Sequence, residues 1–264
     1  MLQPKIANLE KYDSGLAFTL TDKLFFLTLL DFNKLDVFVD FGCANGAVLA
    51  KVKEKYPNLT CIGYDCSREQ LNLAGKLAPN CEFTDDIRYV KDRVQKEKYS
   101  AILLSSVLHE IFSYCSEEGI EDFENFLYDT GFTHIVIRDM MTFPTNNYSI
   151  GHKQYNQLIN MVGHAGVIQK FRQFEQTWGL CDIMQNLLHF LLKVNYSEED
   201  WSRELKENYF SVDANQFFMA MPENYYVNYQ LRYPLPYLQE IAKKDFGINS
   251  LVHNTHIKLI LSER

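Results

Sequence analysis

Five short apolar runs in the first 140 residues alternate with segments that have the apolar spacing of helices. The runs are Val37–Phe41, Thr60–Tyr64, Cys81–Thr84, Ala101–Ser105 and Ile135–Ile137. Runs of this length, bounded by turn residues, are typical of buried strands. Strands separated by helices form βαβ units, which make a parallel sheet covered on both faces. The pattern therefore predicts an α/β fold for this half of the chain.

The most specific local signal is the stretch from Val37 to Gly46. Its apolar run includes Asp40 near the end, and a tight turn with Gly42 and Gly46 follows. A segment with helical apolar spacing, 47–56, comes next and stops before a proline. The stretch is predicted to fold as strand, loop and helix. Such a unit leaves backbone N–H groups at a helix start, where they can hold a polar ligand.

The type of ligand is indicated by two carboxylates. Asp65 ends the second strand, where an acidic residue of a nucleotide-binding sheet accepts both hydroxyls of a ribose. Asp40 begins a turn whose glycines are spaced differently from the Gly-x-Gly-x-x-Gly that binds a pyrophosphate. Asp40 would repel a pyrophosphate and attract an ammonium group. This pattern disfavours an NAD-dependent dehydrogenase.

Four segments, in the right order and spacing, resemble the motifs of class I S-adenosylmethionine-dependent methyltransferases. They are Phe38–Gly46 (motif I), Ile62–Asp65 (the acidic strand-two motif), Glu82–Ile87 (the adenine-contacting motif) and Tyr99–Glu110 (motif IV). The resemblance covers about residues 35–140. It implies a Rossmann-like class I methyltransferase sheet, mostly parallel, that ends in an antiparallel hairpin. It also implies S-adenosylmethionine as the cofactor and S-adenosylhomocysteine as the product.

The resemblance assigns cofactor-binding roles by position. The residues implied after the first strand, around the methionine part, are Asp40, Gly42, Cys43, Ala44 and Gly46. The residues implied after the second and third strands are Asp65 on the ribose, Cys66 against adenine, Asp86 or Asp85 on the adenine amino group, and Ile87 on the ring. Ser105 and Ser106 would lie near the sulfonium. Ala44 departs from the family, which often has glycine at this position. The difference matters because alanine adopts a positive φ only with strain.

Candidate acceptor-side residues follow the fourth and fifth strands. His109 is a candidate general base for an acceptor proton, with Glu110 beside it, and the alternative for His109 is a hydrogen bond that orders the loop. Arg138 and Asp139 either line the acceptor pocket or form a local ion pair. The six cysteines are scattered, and neither a Cys-x-x-Cys pair nor a His pair at zinc spacing occurs near them, so no metal site is predicted.

The rest of the chain suggests four parts. Residues 1–34 are an N-terminal helical or lid segment, with a helix predicted over 15–32, and residues 35–144 are the cofactor-binding core. Residues 145–233 show only helical patterns and are predicted to be an insertion that covers the acceptor. Residues 234–264 return to the core as a helix and a hairpin of Ile248–Val252 with His256–Leu261, joined by Asn254 and Thr255.

Charge and composition narrow the choice of partner. The chain has a net charge of −8, and the insertion has seven basic and nine acidic side chains, which disfavours a nucleic-acid surface. The apolar run 24–30 is too short to span a membrane. No signal-peptide pattern begins the sequence, and the cysteines suit reduced thiols, so a cytoplasmic protein is expected. The sequence leaves the oligomeric state open.

Three functions are weighed for this pattern. The first is methyl transfer to an enclosed small-molecule acceptor. The second is methylation of RNA or protein, with the insertion as the docking surface. The third is a module that binds S-adenosylmethionine without catalysis. Four aromatic residues of the insertion are either an acceptor pocket or core: Trp178, Trp201, Tyr225 and Tyr226.

Overall fold

A seven-stranded sheet crosses the part of the chain that this computed structural model describes, residues 20–248 and 253–264. The strands are β1 (Val37–Phe41), β2 (Thr60–Tyr64), β3 (Glu82–Thr84), β4 (Ser100–Ser105), β5 (His134–Met140), β6 (Tyr225–Tyr233) and β7 (His256–Glu263). Their order is β3-β2-β1-β4-β5-β7-β6. The first five strands are parallel, and β7 is antiparallel to both of its neighbours. The predicted fold class is confirmed.

Helices connect the strands and cover the sheet. Those between β1 and β5 are α1 (Ala47–Lys55), α2 (Arg68–Leu77), α3 (Ile87–Val94), α4 (Leu108–Tyr114) and α5 (Glu117–Asp129). Those after β5 are α6 (His152–His164), α7 (Ile168–Trp178), α8 (Met184–Lys193), α9 (Glu198–Glu204), α10 (Ala214–Ala220) and α11 (Pro236–Phe246). The 3₁₀ helices are Leu24–Thr28, Phe32–Lys34 and Pro144–Asn146. Within the described residues, none of the helices is long and apolar enough to cross a membrane.

The two faces of β1 bury different apolar clusters. Val37 and Val39 pack in the cluster that includes residues of α3, α4 and α5. Phe38 faces the opposite cluster, where its ring stacks on Phe26 with 5.2 Å between centroids. Side chains alternate along a strand, so Asp40 lies on the same face as Phe38. Both faces of the parallel sheet are covered, as the βαβ pattern predicts.

The predicted terminal hairpin is wrong in its first strand. The antiparallel partner of β7 is β6, at Tyr225–Tyr233, and Ile248 lies just after α11, where its N–H donates to the Ala242 carbonyl at 2.8 Å. Residues 249–252 lie outside the described part of the chain. Most side chains of β6 are exposed because it is an edge strand, so it lacks the apolar run that identifies a buried strand.

Two predicted helices differ in their bounds. Instead of continuing as one helix to residue 32, the N-terminal segment forms 3₁₀ helices at residues 24–28 and 32–34. Residues 15–19 of the predicted helix lie outside the described residues. The predicted helix 123–128 is α5, which begins earlier because the Ser116 hydroxyl caps it by accepting from Gly119 N–H. The predicted caps Ser67 and Ser197 are confirmed on α2 and α9.

A separate apolar cluster joins the helices that follow β5. It contains residues of α6, α7, α8, α9 and α11, among them Phe174, Leu188, Trp201 and Leu238. The segment predicted as a helical insertion therefore has its own packed core, and it also contains the edge strand β6. The division of the chain into four parts stays a prediction.

Candidate functional site

A cavity lies where β1, β2 and β4 end. Its wall includes most of the residues predicted to bind the cofactor: Asp40, Gly42, Cys43, Ala44, Asp65, Cys66, Ser105 and Ser106. Glu110 also lines it. The carboxyl ends of neighbouring parallel strands meet at one edge of a sheet, which is why residues far apart in sequence converge here. The strand pairing shows this directly, because Asp40 is in register with Gly63 of β2 and Leu103 of β4.

The turn after β1 is built from left-handed residues. Gly42 and Gly46 both have φ of 77°, and Ala44 between them has φ of 45°. A Cβ on Gly46 would lie 2.9 Å from the Cβ of Ala74 in α2, so this position also needs glycine for close packing. The structure therefore places Ala44 in the strained conformation that the family's glycine would adopt freely.

Replacing Ala44 with glycine is expected to raise the free energy of unfolding by about 1 kcal/mol. The left-handed conformation costs a residue with a Cβ roughly 1–2 kcal/mol, and the larger freedom of glycine in the unfolded chain offsets part of that gain. Urea unfolding would measure it. Ala50→Gly, in the interior of α1, is the control and should lower stability by about 1 kcal/mol. A loss of stability in Ala44→Gly would contradict the strain.

Asp65 is held at the cavity by two backbone N–H groups. Its Oδ2 accepts from Ala44 N–H at 2.9 Å, and its Oδ1 accepts from Ser67 N–H at 2.8 Å. Burial raises the pKa of this carboxyl, and the two N–H groups oppose the rise. The contacts link the glycine turn to the start of α2. Each oxygen has a further lone pair, so the carboxylate can accept both hydroxyls of a ribose.

Asp40 and Lys23 are buried groups of opposite charge in the same cavity wall. Burial raises the pKa of Asp40 to about 7, an effect that Lys23 opposes and Asp65 adds to. Burial also lowers the pKa of Lys23 to about 8. A carboxylate and an ammonium in one cavity wall complement the two charges of an α-amino acid group. Sequence reasoning missed Lys23, because only the folded chain brings residue 23 to the end of β1.

Asp22 fixes the segment that carries Lys23. Its Oδ2 accepts from Arg138 Nε at 2.8 Å and from the Tyr233 hydroxyl at 2.7 Å, and Lys258 pairs with its other oxygen. Arg138 also donates to the Ser106 hydroxyl at 2.9 Å. Arg138 is therefore an ion-pair residue, as one of the two alternatives proposed, but its partner is Asp22. It ties the N-terminal segment to the ends of β5 and β4.

Two buried polar side chains of the cavity wall have no hydrogen-bond partner within the described residues. They are the Gln70 amide, on α2, and the Ser105 hydroxyl, at the end of β4. The sequence places Gln70 at a capping-box position, and its N–H does donate to the Ser67 hydroxyl, but its side chain makes no returning bond. Buried polar groups without a partner are rare in folded proteins, so both fit a cavity that takes a polar ligand.

Of the residues predicted on the adenine side, Cys66 lines the cavity, whereas Asp85, Asp86 and Ile87 are not part of its wall. Asp85 pairs with Arg68 at 2.9 Å, and both side chains are exposed. Asp86 caps α3, where its Oδ1 accepts from Arg88 N–H at 3.0 Å, and Ile87 is the first residue of that helix. Their assignment to adenine stays a prediction.

His109 lies between two carboxylates. Its Nδ1 is 2.6 Å from Asp139 Oδ1, and its Nε2 is 3.0 Å from Glu207 Oε1. These two carboxylates raise the pKa of His109 well above its usual value, against the opposing effect of burial. Because both ring nitrogens are engaged and His109 is not part of the cavity wall, the geometry favours the alternative of an ordering contact over a general base.

Asp139 orients this histidine from the end of β5. The side chain is fully buried, and its Oδ2 accepts from Val107 N–H at 2.8 Å and from Leu108 N–H at 2.7 Å. It therefore satisfies the first N–H groups of α4, the helix that carries His109 and Glu110. Interaction with His109 and with backbone N–H groups lowers the pKa of Asp139 despite its burial.

The side of the cavity next to Glu110 is formed by residues from the segment 145–233, called the helical segment below. Arg203, on α9, and Glu207, just after it, both line the cavity. Buried Lys193 donates to the backbone carbonyls of Glu204, the last residue of α9, and of Glu207. Sequence reasoning missed these residues, because the acidic and basic positions of α9 match an ordinary solvated helix. Burial, followed by repulsion from Glu207, raises the pKa of Glu110 to about 8.

The four aromatic residues proposed as an acceptor pocket are not in the cavity wall. Trp178 Nε1 donates to the Leu205 carbonyl at 2.7 Å, and Trp201 Nε1 donates to Gln173 Oε1 at 2.6 Å. The Tyr225 hydroxyl donates to the Phe132 carbonyl at 2.7 Å, and Tyr226 is exposed on β6. Core packing accounts for Trp201 and Tyr225, and the acceptor-pocket alternative stays a prediction.

Comparison with known proteins supports this fold. Residues 39–133 match the family model of a methyltransferase domain. One similar solved structure is that of the plantazolicin methyltransferase BpumL in complex with SAH. Its sequence is 15% identical to this one, the alignment covers 98% of this chain and 88% of the BpumL chain, and the TM-score is 0.53. The plantazolicin methyltransferase BamL, solved with a triazolic desmethylPZN analog and SAH, is 11% identical, with coverages of 97% and 88% and a TM-score of 0.52. No curated protein matches.

The cavity suits the cofactor of this domain. Gly42 of the turn lines it, as do the polar side chains of Asp40, Asp65 and Gln70, whereas the predicted Gly46 is not part of the wall. The two solved structures contribute the likeness of fold, and the family model contributes the domain. Residues 39–133 of this chain therefore form a methyltransferase domain, and the cavity lies at the edge of its sheet.

Proposed function

We propose that this enzyme transfers the methyl group to a small-molecule acceptor enclosed between the sheet and the helical segment. The observation that carries the proposal is the cavity wall, in which Arg203 and Glu207 of the helical segment lie together with Asp40 and Asp65 of the core. The cofactor supplies an electrophilic methyl carbon on its sulfonium. The protein's contribution is then to align the acceptor in line with that carbon and to exclude water.

Cofactor roles are proposed for residues of the wall. Asp65 accepts the ribose hydroxyls, Asp40 binds the ammonium and Lys23 binds the carboxylate of the methionine part. Gln70 supplies a further polar contact, and Ser105 and Ser106 lie near the sulfonium. The adenine side is proposed for Cys66, Asp85 or Asp86, and Ile87.

Replacing Asp65 with alanine is expected to weaken binding of S-adenosylhomocysteine by at least about 1.5 kcal/mol, a little over tenfold, because charge-assisted hydrogen bonds to the ribose are lost. Isothermal titration calorimetry would measure the affinity. Glu54→Ala is the control, since Glu54 is exposed and its ion-pair partner is Lys51 of the same helix. Thermal melting of both variants would show whether they are folded, since Asp65→Ala also removes the hydrogen bonds to the N–H groups of Ala44 and Ser67. Unchanged affinity in a folded Asp65→Ala protein would remove the ribose assignment.

The presence of Arg203 and Glu207 from the helical segment in the cavity wall favours a small acceptor over a macromolecule. BamL, which shares the fold, is solved with a triazolic desmethylPZN analog. The helical segment has more acidic than basic side chains, which gives RNA no electrostatic attraction.

The acceptor class can be tested by fractionating a cell extract. Formation of S-adenosylhomocysteine would be followed with the low-mass and the macromolecular fractions as separate acceptor sources. We expect turnover with the low-mass fraction. Turnover with the macromolecular fraction alone would support RNA or protein methylation instead. Tight cofactor binding without turnover in either fraction would support a non-catalytic binding module.

A further inference from the structure

We infer that His109, Glu110 and Glu207 bind a divalent metal cation on the acceptor side of the cofactor cavity. Each of these residues offers one ligand atom, and the three atoms lie within 4.8 Å of one another. Cation binding needs neither cofactor nor acceptor, so this inference goes beyond the proposed methyl transfer. The spacing of residues in the sequence does not predict this site, because Glu207 lies almost a hundred positions after His109.

The distances suit a small cation. His109 Nε2 and Glu207 Oε1 are 3.0 Å apart. Around a cation whose bonds are about 2.1 Å long, neighbouring ligands of an octahedron lie about 3 Å apart and opposite ligands lie about 4 Å apart. The three ligand atoms can therefore surround one cation after only small side-chain movements.

The contacts behind His109 are those of a metal-binding histidine. Nδ1 faces Asp139 Oδ1 at 2.6 Å, and Asp139 is itself held by the N–H groups of Val107 and Leu108. A histidine that binds a metal commonly donates its other ring N–H to such a carboxylate, which orients the ring and makes the free nitrogen a better ligand. This arrangement directs Nε2 towards Glu207.

The loop that carries Glu207 is held in place from the opposite side. The buried ammonium of Lys193 donates to the carbonyls of Glu204 and Glu207, and the Ser113 hydroxyl of α4 donates to the Asn208 carbonyl at 3.1 Å. The ligands from α4 and from this loop are thus joined by direct contacts. A preorganised pair of elements binds a cation more strongly than two independent ones.

The same cavity offers an independent sign of a ligand. The Ser105 hydroxyl is 8% exposed and has no hydrogen-bond partner within the described residues, yet it lines the cavity together with Glu110 and Glu207. A hydroxyl placed there can bond to a water or to an acceptor oxygen held on the cation. This supports a site open to the cavity instead of a closed ion pair.

The ligand chemistry indicates a first-row divalent cation such as Mn²⁺. One imidazole nitrogen with two carboxylates combines the ligands preferred by Mn²⁺, Zn²⁺ and Fe²⁺. Positions that the protein leaves open would face the cavity. A cation there would bind an acceptor hydroxyl and lower its pKa, so that the hydroxyl would release its proton to solvent water. The oxygen would then form the bond to the methyl carbon as the bond from that carbon to the sulfonium sulfur breaks.

The test is Mn²⁺ binding to the intact protein, after treatment with a chelator and its removal. Calorimetry and the loss of the aqueous Mn²⁺ electron paramagnetic resonance signal would give the stoichiometry and affinity. We expect one Mn²⁺ per chain, with affinity at least tenfold weaker in Glu207→Gln and in His109→Gln. Glu198→Gln is the control, because Glu198 is an exposed residue of the same helical segment, and its affinity should be unchanged.

Two results would overturn the inference. One is no Mn²⁺ binding above that of the Glu207→Gln variant, in which case a proton on His109 Nε2 makes an ordinary buried ion pair with Glu207. The other is binding that persists in both Glu207→Gln and His109→Gln, which would assign the cation to another place. Affinity for S-adenosylhomocysteine, measured on the same samples, shows separately whether the methyltransferase proposal holds.

Discussion

Replacing Asp139 with alanine is expected to lower the free energy of unfolding by about 3–5 kcal/mol, the usual cost of removing one partner of a buried ion pair. Asp139 is fully buried, pairs with His109, and accepts from the N–H groups of Val107, Leu108 and Met140. Its removal leaves these N–H groups and the His109 imidazole without their partner. Urea unfolding at pH 7 would measure the loss.

Two other variants make this result specific. Asp139→Asn keeps an oxygen that can accept from the N–H groups but removes the charge beside His109, so we expect an intermediate loss. Asp85→Ala removes an exposed ion pair with Arg68 and should change stability by about 1 kcal/mol or less. If Asp139→Ala lowers the free energy of unfolding by no more than Asp85→Ala does, the buried contacts of Asp139 do not stabilise the fold as expected.

Affinity for S-adenosylhomocysteine is expected to fall about a hundredfold as the pH is lowered from 7.5 to 5. Burial raises the pKa of Asp40 to about 7 in the free protein. An ammonium bound beside it favours the carboxylate, so the pKa is lower in the complex. Affinity is then fully present above pH 7 and is lost by up to tenfold per pH unit below it. Calorimetry across this range would measure the change.

The control for this pH dependence is Asp40→Asn. The amide has no charge to titrate, so affinity in this variant should be weak and nearly independent of pH over the same range. Lys23 and Asp65 are the charged groups that act on Asp40, and Asp65→Asn would show how much of the dependence comes from the second carboxylate. A wild-type affinity that does not change between pH 7.5 and 5 would contradict binding of the ammonium by Asp40.

The sequence was sufficient to predict the core of the site, because that core is local. Asp40 and Asp65 each follow an apolar run directly, and parallel strands bring such positions to one edge of the sheet. Ala44 was also identified as the position of strain, and it has φ of 45°. The positions of Asp40 and Asp65 follow from strand length, turn residues and the geometry of a βαβ unit, whereas the prediction for Ala44 follows from the family resemblance.

The edge of the sheet was predicted less well. The apolar content of 248–252 suggested a strand, whereas β6 at Tyr225–Tyr233 has mostly exposed side chains. Its place is determined by backbone pairing with β7 along its length, including a register shift between Val227 and Tyr229. Backbone hydrogen bonds leave no hydrophobic pattern, so periodicity cannot identify an edge strand.

The acceptor side of the cavity was the hardest part to predict. The sequence singled out His109 as a candidate base, but the character of this histidine comes from Asp139 of β5 and Glu207 after α9. In the same way, burial raises the pKa of Asp40, and the charge of Lys23 from the N-terminal segment opposes that rise. A side chain's charge state depends on neighbours that only the folded chain supplies.

By itself, the sequence determined the α/β class, the parallel core and the cofactor edge, because strand and turn signals lie within a few consecutive residues. The tertiary structure alone decided which residues from distant parts of the sequence line the cavity, how His109 is paired, and which strand completes the sheet. Those features depend on contacts between residues far apart in the sequence, from 21 positions for Ala44 with Asp65 to 211 for Asp22 with Tyr233. Such contacts form when the apolar surfaces of the helices and the sheet are buried together, and local sequence patterns do not encode them.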